Sequence, residues 1–239
     1  MMFLCPFATL SFMTTKYEND LILLGMGATR RLCPLDNTDI PIWSCNTGYI
    51  QIAEMSGYLS KIFMTHPQHM AEDGITERYS FKQMNMLVRH GIEILNIHRC
   101  KGLNHKMYPL KRIIKKFDTD YFSDTIGYMF AYALDMWTDK IDGRLVLKEP
   151  EKKHRIRTFG IDMATFDSQG HSGEYQLEKG GVEFWVGYAK GLNVKVEIGD
   201  GSFVCETITG HPYGAKFWTW EDIDPFNLLD HSKYEGLVF

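Results

Sequence analysis

Short apolar runs of strand length recur along this chain, and segments with helical character separate them. The first run is DLILLG at Asp20–Gly25, and a late run is NVKVEI at Asn193–Ile198. Other runs end at Asn46, His66, His98 and Asp162. Continuous apolar runs of this length are typical of parallel strands that are covered on both faces. The alternation therefore predicts an α/β fold, with a Rossmann-like, mostly parallel sheet and helices on both faces.

One segment, Thr138–His154, interrupts the alternation: Asp-Gly separates two short strand-like runs, and a charged run follows. This composition predicts a surface hairpin inserted between a buried helix and the next strand. No repeat or low-complexity linker divides the remaining sequence. We therefore predict one domain at residues 20–205, with an N-terminal arm at 1–19 and an aromatic-rich extension at 206–239. The apolar first residues leave open whether Met1 or Met13 is the natural start.

Composition and charge exclude several classes of protein. The net charge of −4 disfavours binding to the phosphate backbone of nucleic acids, and the basic run Lys111–Lys116 is typical of a solvated helix face. The five cysteines form no C-x-x-C pair, which favours a reducing compartment and argues against a zinc site. No apolar run reaches the about 18 residues that span a bilayer. We therefore predict a cytoplasmic protein without a membrane span and without a bound metal.

A glycine-containing turn, GMGATRR, follows the first strand. Gly25 and Gly27 allow the backbone to turn sharply and approach a phosphate, and Thr29 lies where the next helix would begin. Arg30 occupies the place of the third glycine of a dinucleotide fingerprint, and no Walker lysine follows. Two interpretations stay open, a nucleotide-phosphate turn and a strand-to-helix connection without a ligand.

The next strand ends in SCNTG, which places Asn46 at its end. The Asn46 amide can both donate to and accept from a base or a ribose. The alternative is an Asx-turn or a helix cap, which needs no ligand.

A polar segment, YFSDT, comes directly before the most apolar helical segment of the chain, whose one charged residue is Asp135. Ser123 or Asp124 is expected to cap this helix, and such a cap stabilises a helix by about 1 kcal/mol. The alternative is a ligand site at the helix N-terminus. There the Thr125 hydroxyl and free N–H groups would bind an anion, while Asp124 would accept from a sugar hydroxyl.

Two titratable residues are candidates for acid–base chemistry. Asp162 ends the strand-like segment FGIDM, where a carboxylate acts as a base, binds hydroxyl groups or caps the next turn. His171 lies in the loop SQGHSGEYQ beside Glu174 and Tyr175, and it is the candidate general base. The alternative for His171 is an exposed loop histidine without a catalytic role.

The order of these segments resembles a group of Rossmann-type proteins. The segments that carry the resemblance are GMGAT, CNTG, YPL, YFSDTIGYMFAYAL, RTFGIDM and the helix GGVEFWVGYAKG. The group includes bacterial sialyltransferases that use a cytidine-monophosphate sugar, MptE-like pterin pyrophosphokinases and uncharacterised phage-encoded proteins. The phage-encoded proteins look most similar, and a phage origin would place this chain in the host cytoplasm.

The resemblance implies which residues bind the donor. In the sialyltransferases the first glycine turn and the asparagine contact the nucleotide, and the hydroxyl residues before the buried helix contact the donor. A histidine in the loop after G-I-D is the base, and His171 matches it with an offset of about two residues. Backbone N–H groups near Gly27 and Thr125 would stabilise the leaving phosphate. Met26 stands where the sialyltransferases carry an asparagine.

These observations predict a metal-independent glycosyltransferase whose donor is a CMP- or UDP-linked sugar, with no further cofactor and an acceptor of unknown kind. The alternatives are a Mg-ATP-dependent pyrophosphokinase, in which Asp124 and Asp162 would bind the metal, and a non-catalytic nucleotide-binding or virion-associated module. The aromatic extension either covers the site as a lid or binds a partner, and the partner-binding role predicts a homo-oligomer.

Overall fold

The computed structural model describes residues 17–35, 39–46, 48, 58–65, 81–163 and 174–205, except the side chains of 174–177. Most of the predicted N-terminal arm, the predicted C-terminal extension and His171 lie outside the described residues. The strands of this part are β1 (Asn19–Leu24), β2 (Ile42–Cys45), β3 (Leu59–Met64), β4 (Glu93–Asn96), β5 (Lys106–Met107), β6 (Thr138–Ile141), β7 (Arg144–Leu147), β8 (His154–Phe159) and β9 (Lys195–Ile198). The helices are α1 (Phe81–Arg89), α2 (Leu110–Phe117), α3 (Thr125–Trp137) and α4 (Glu174–Gly191), with a short 3-10 helix at Ala28–Leu32.

The main sheet is parallel throughout its described strands and has the order β5-β4-β3-β2-β1-β8-β9. Strands β2 to β5 follow one another on one side of β1, and β8 and β9 lie on its other side. This reversal lies between β1 and β8, whose last residues, Leu24 and Phe159, are register partners. The predicted α/β class, with a Rossmann-like parallel sheet, is therefore confirmed.

Helices cover both faces of the sheet because the strand side chains alternate between two apolar clusters. Leu21 and Leu23 of β1 belong to the cluster that packs against α3 and α4, whereas Ile22 and Leu24 belong to the cluster that includes Met84 of α1. All four leucine and isoleucine side chains are at most 2% exposed. This two-sided burial explains why β1 reads as a continuous apolar run rather than an alternating one.

The predicted hairpin is present as an antiparallel pair, β6 and β7, separate from the main sheet. Its turn has Asp142 at φ 49° and Gly143 at φ 78°, which is the backbone that Asp-Gly adopts most readily. The hairpin follows α3 without a loop, because β6 begins at Thr138, the residue after the helix. The Thr138 hydroxyl donates to the Leu134 carbonyl in the last turn of the helix. Asp135, the single charge of α3, is buried and bonded to Arg112 and Lys116 of α2.

The sequence pattern misplaces the start of α4. The helical segment was predicted from Gly180 to Leu192, but the helix begins six residues earlier, at Glu174. Gly181 is required inside the helix because a Cβ there would overlap the Ser123 hydroxyl of the segment leading into α3. The glycine therefore marks a close approach of two segments rather than a helix end.

Candidate functional site

The turns that follow β1 and β8 are fastened to each other by backbone hydrogen bonds. Gly25 N–H donates to the Phe159 carbonyl at 2.8 Å, and Gly27 N–H donates to the Gly160 carbonyl at 2.7 Å. A Cβ on Gly25 would fall inside van der Waals contact of the Gly160 carbonyl oxygen and 2.9 Å from its carbon. Gly160 itself has φ 65°, in the left-handed region that favours glycine. The two turns touch so closely that only glycine fits.

The Asp162 side chain completes this junction. It accepts a hydrogen bond from the Thr29 backbone N–H at 3.1 Å and another from the Thr29 hydroxyl. The same hydroxyl accepts from Gly160 N–H at 2.9 Å. A Cβ on Gly27 would lie 2.5 Å from the Asp162 carboxyl carbon. Asp162 therefore fills the position beside the glycine turn where a phosphate would otherwise approach.

The loop that follows β9 is hydrogen-bonded to the backbone of this junction. The Ser202 hydroxyl donates to the Ile161 carbonyl at 2.6 Å, and Phe203 N–H donates to the Asp162 carbonyl at 2.8 Å. In open α/β sheets ligands bind at the point where the strand order reverses. In this protein that point, between β1 and β8, is occupied by its own backbone and by Asp162.

A second group of polar side chains lies at the same edge, over β2, β3 and the start of α3. Asn46 directly follows β2, and its N–H donates to the Phe63 carbonyl of β3 at 3.0 Å. Thr65 follows β3, and its hydroxyl lies 2.8 Å from the hydroxyl of Thr125, the first residue of α3. The Thr65–Thr125 contact therefore joins the sheet edge to the helix N-terminus, and Asn46 follows the neighbouring strand.

Asn46 has two unusual properties. Its backbone has φ 50°, a left-handed conformation in which asparagine is several-fold enriched among non-glycine residues. Its side-chain oxygen Oδ1 is buried, and it is one of two buried side-chain polar atoms in the described part that have no hydrogen-bond partner. A buried acceptor without a donor costs about 1–3 kcal/mol, so this oxygen is suited to accept from a ligand.

Asp124 caps α3, as the sequence predicted for Ser123 or Asp124. One carboxylate oxygen accepts from Gly127 N–H at 2.9 Å, and the other accepts from the Ser123 hydroxyl at 3.0 Å. The Ser123 hydroxyl also lies 3.1 Å from the Glu178 carbonyl of α4. Asp124 is 9% exposed, and it already neutralises the positive end of the helix dipole. A phosphate at this helix N-terminus would have to compete with it.

The burial of Asp124 predicts a specific pH dependence of stability. Burial raises the pKa of this carboxyl above its ordinary value of 3.8, and the hydrogen bonds from Gly127 and Ser123 offset only part of that increase. Above pH 3.8 the folded protein therefore binds more protons at Asp124 than the unfolded chain does. The free energy of unfolding is expected to fall as the pH rises from 3.8 through the raised pKa, and to level off above it.

Urea unfolding of the wild type and of Asp124→Asn at a series of pH values measures this effect. As the pH rises through that window, the free energy of unfolding of the wild type should fall relative to that of the variant. Parallel curves would show that the ionisation of Asp124 is not coupled to folding.

The cysteine beside this group is not a nucleophile. Burial raises the pKa of the Cys45 thiol to about 12, and the negative charge of Asp124 acts in the same direction. Burial also raises the pKa of Cys33 to about 12. Both groups are neutral thiols at pH 7. Among the described residues, no three His, Cys, Asp or Glu side chains lie close enough together to hold a metal ion.

The structure thus divides the predicted site residues into two groups. Gly25, Gly27, Thr29 and Asp162 form the junction between β1 and β8. Asn46, Ser123, Asp124 and Thr125 lie near the ends of β2 and β3 or at the start of α3. Thr65 was not predicted, although its position directly after an apolar strand run was an available signal. His171 lies outside the described residues, so it belongs to neither group here.

Comparison with known proteins adds no assignment to this geometry. No protein-family model, no curated protein and no solved structure matches the chain at a significant level. In the described part of the chain, no helix combines the length and the apolar character needed to cross a bilayer.

Proposed function

We propose that this protein is a glycosyltransferase that uses a nucleotide-sugar donor without a metal ion. The donor's nucleoside would bind over the ends of β2 and β3, beside Asn46, Thr65 and Thr125. The observation that carries the proposal is the buried Asn46 oxygen, which has no hydrogen-bond partner among the residues that the structure describes. A base amino group or a ribose hydroxyl would supply the missing donor.

The surrounding side chains also favour a nucleoside over a phosphate at this position. The Thr65 and Thr125 hydroxyls bond to each other, so both can accept a further hydrogen bond and one of them can also donate one. The carboxylates of Asp124 and Asp162 occupy the N–H groups that would otherwise attract an anion. The edge therefore presents mainly acceptors, which complement the N–H and O–H groups of a nucleoside.

The same hydrogen bonds count against the pyrophosphokinase alternative. Magnesium-dependent phosphoryl transfer needs carboxylate oxygens that are available to the metal. Both oxygens of Asp162 accept hydrogen bonds from Thr29, and both oxygens of Asp124 accept from Gly127 and Ser123. These hydrogen bonds already use one lone pair on each oxygen, so each carboxylate has fewer lone pairs left to offer a Mg²⁺ ion.

The test uses thermal shift and titration calorimetry with cytidine, uridine, CMP, UMP, CMP-linked and UDP-linked sugars, and ATP, each with and without Mg²⁺. A ligand at a hundredfold excess over Kd should add about 2.7 kcal/mol of stability. A shift with one pyrimidine series, independent of Mg²⁺, is the expected result. A shift only with Mg-ATP would favour the pyrophosphokinase, and no shift with any ligand would contradict nucleotide binding.

The Asn46→Gly variant tests the role of the Asn46 side chain. Glycine tolerates φ 50°, and the substitution removes an oxygen that has no hydrogen-bond partner in the described part of the chain, so stability should change little. Nucleoside affinity should fall about tenfold or more, the value of one buried hydrogen bond. Asn193→Gly is the matched control, because Asn193 also has a left-handed backbone, at φ 62°, but lies beyond the end of α4. If both variants bind the nucleoside with the same affinity, the Asn46 side chain does not contact it.

A further inference from the structure

A nucleotide whose nucleoside binds over the ends of β2 and β3 would carry its phosphate toward a neighbouring strand, either β1 or β4. Neighbouring strands lie about 4.8 Å apart, so the ends of β2 and β4 are separated by about 10 Å, a span similar to the length of a nucleoside. The phosphate would therefore reach either the turn after β1 or the loop after β4. A phosphate site at either place depends on the proposed function, since it serves a nucleotide bound beside Asn46.

The turn after β1 is poorly suited to receive this phosphate. The N–H groups of Gly27 and Thr29 already donate to the Gly160 carbonyl and to the Asp162 carboxylate. Arg30 donates to a backbone carbonyl of the same turn at 2.8 Å. The negative charge of Asp162 would repel a phosphate placed beside it. The β1 side of the edge therefore disfavours an anion.

The chain that forms β4, β5 and α2 has the opposite charge. Residues 94–117 include seven lysine and arginine residues and no aspartate or glutamate, although the whole chain has a net charge of −4. The acidic residue that precedes this stretch, Glu93, is ion-paired with Lys61 and Lys106. The β4 side of the edge is therefore rich in positive charge, which attracts an anion.

The loop after β4, residues 97–105, is fixed by side chains of the strand before it and of α1. The buried Asn96 side chain accepts from the His98 N–H at 2.8 Å. The Asn85 side chain of α1 donates to the Gly102 carbonyl at 2.7 Å and accepts from the Asn104 N–H at 2.8 Å. A loop held in this way presents its exposed side chains in a defined place, as a binding site requires.

Two exposed side chains of this loop, His98 and Arg99, are suited to bind a phosphate. Neither side chain has a hydrogen-bond or ion-pair partner in the part of the chain that the structure describes. They directly follow the end of β4, whose last residue is the register partner of the residue before Thr65. A guanidinium binds phosphate oxygens with two parallel hydrogen bonds, and an imidazole N–H can add a third.

We propose that the loop after β4 binds the 5′ phosphate of the nucleotide, with the Arg99 guanidinium as the main contact and the His98 ring as a second donor. The nucleoside then lies across β2 and β3, with its base or ribose at Asn46 and its phosphate end at β4. In this arrangement Arg99 provides the positive charge for the phosphate that a metal ion would otherwise provide.

The test is titration calorimetry of the full chain without Mg²⁺, in which uridine is compared with UMP and UDP, and cytidine with CMP. The ratio of nucleotide affinity to nucleoside affinity measures what the phosphate contributes. Arg99→Gln is expected to lower this ratio about tenfold or more, the value of a charge-assisted hydrogen bond. The nucleoside affinity should stay unchanged, since Arg99 contacts only the phosphate, and this unchanged affinity also shows that the variant is folded.

The matched control is Arg31→Gln, because Arg31 is an exposed arginine in the short 3-10 helix after β1, the side that disfavours an anion. The phosphate site is overturned, and the proposed function is not, if nucleosides bind but Arg99→Gln leaves the ratio unchanged. The same conclusion follows if Arg31→Gln lowers the ratio more than Arg99→Gln does, or if the wild type binds nucleotides no more tightly than nucleosides. If the wild type binds neither nucleosides nor nucleotides, both proposals are overturned.

Discussion

Gly25→Ala is expected to lower the free energy of unfolding by about 3 kcal/mol, at the upper end of the range for an added methyl group in a packed region. The added Cβ would overlap the Gly160 carbonyl oxygen and lie 2.9 Å from the carbonyl carbon. Both atoms belong to the backbone, so no side-chain rotation can relieve the overlap. The turns after β1 and β8 would have to separate, which would also strain the hydrogen bond from Gly27 to Gly160.

Urea unfolding followed by circular dichroism measures this loss, and Gly187→Ala is the matched control. Gly187 lies within α4, and a Cβ there meets nothing within 4 Å. Alanine is favoured over glycine in a helix interior by about 0.5–1 kcal/mol, so this variant should be more stable than the wild type. An unchanged midpoint for Gly25→Ala would contradict the close contact of the two turns.

Asp162→Asn is expected to lower the free energy of unfolding by about 1.5–3 kcal/mol, the value of hydrogen bonds to a charged group. The asparagine NH₂ group would face either the Thr29 N–H, giving two opposed donors, or the Thr29 hydroxyl. That hydroxyl already accepts from Gly160, so its own hydrogen would then lose its acceptor. Neither orientation of the amide satisfies both Thr29 groups.

The control for Asp162→Asn is Asp142→Asn in the exposed hairpin turn, where φ is 49° and asparagine fits equally well. Its stability should change by less than about 0.5 kcal/mol. Thr29→Val removes the other side of the same contact, so the losses from Thr29→Val and Asp162→Asn should not add in the double variant. Additive losses would show that Asp162 does not act through Thr29.

The Asp162 variant also separates a structural role from a catalytic one. If Asp162 holds the junction together, the folded variant should keep its nucleoside affinity, because the proposed binding residues lie over β2 and β3. A variant with unchanged stability and lost turnover would restore Asp162 as a candidate base. The position of the carboxylate against Thr29, inside the junction, favours the first outcome.

Several features of this protein follow from the sequence alone. The strand runs, the hairpin with its Asp-Gly turn and the cap of α3 were all predicted, and all are present. Each depends on interactions between residues a few positions apart: the alternation of buried faces, the left-handed turn backbone, and the bond from Asp124 to Gly127. Such local patterns are visible in a sequence because the interacting residues stand next to each other in it.

Other features were decided only by the tertiary structure. Asp162 was predicted as a base, a residue that binds hydroxyl groups or a cap of the next turn, and only the fold shows that its hydrogen-bond partner is Thr29, 133 residues earlier in the chain. The helix was predicted to start at Gly180, but it starts at Glu174, and Gly181 within it is required by the approach of Ser123. The Asn46 oxygen has no hydrogen-bond partner among the described residues, and this depends on which distant donors the fold places near it. These contacts arise from the crossover that places β8 beside β1 and α3 over β3, and no local pattern in the sequence encodes which distant groups such a crossover brings together.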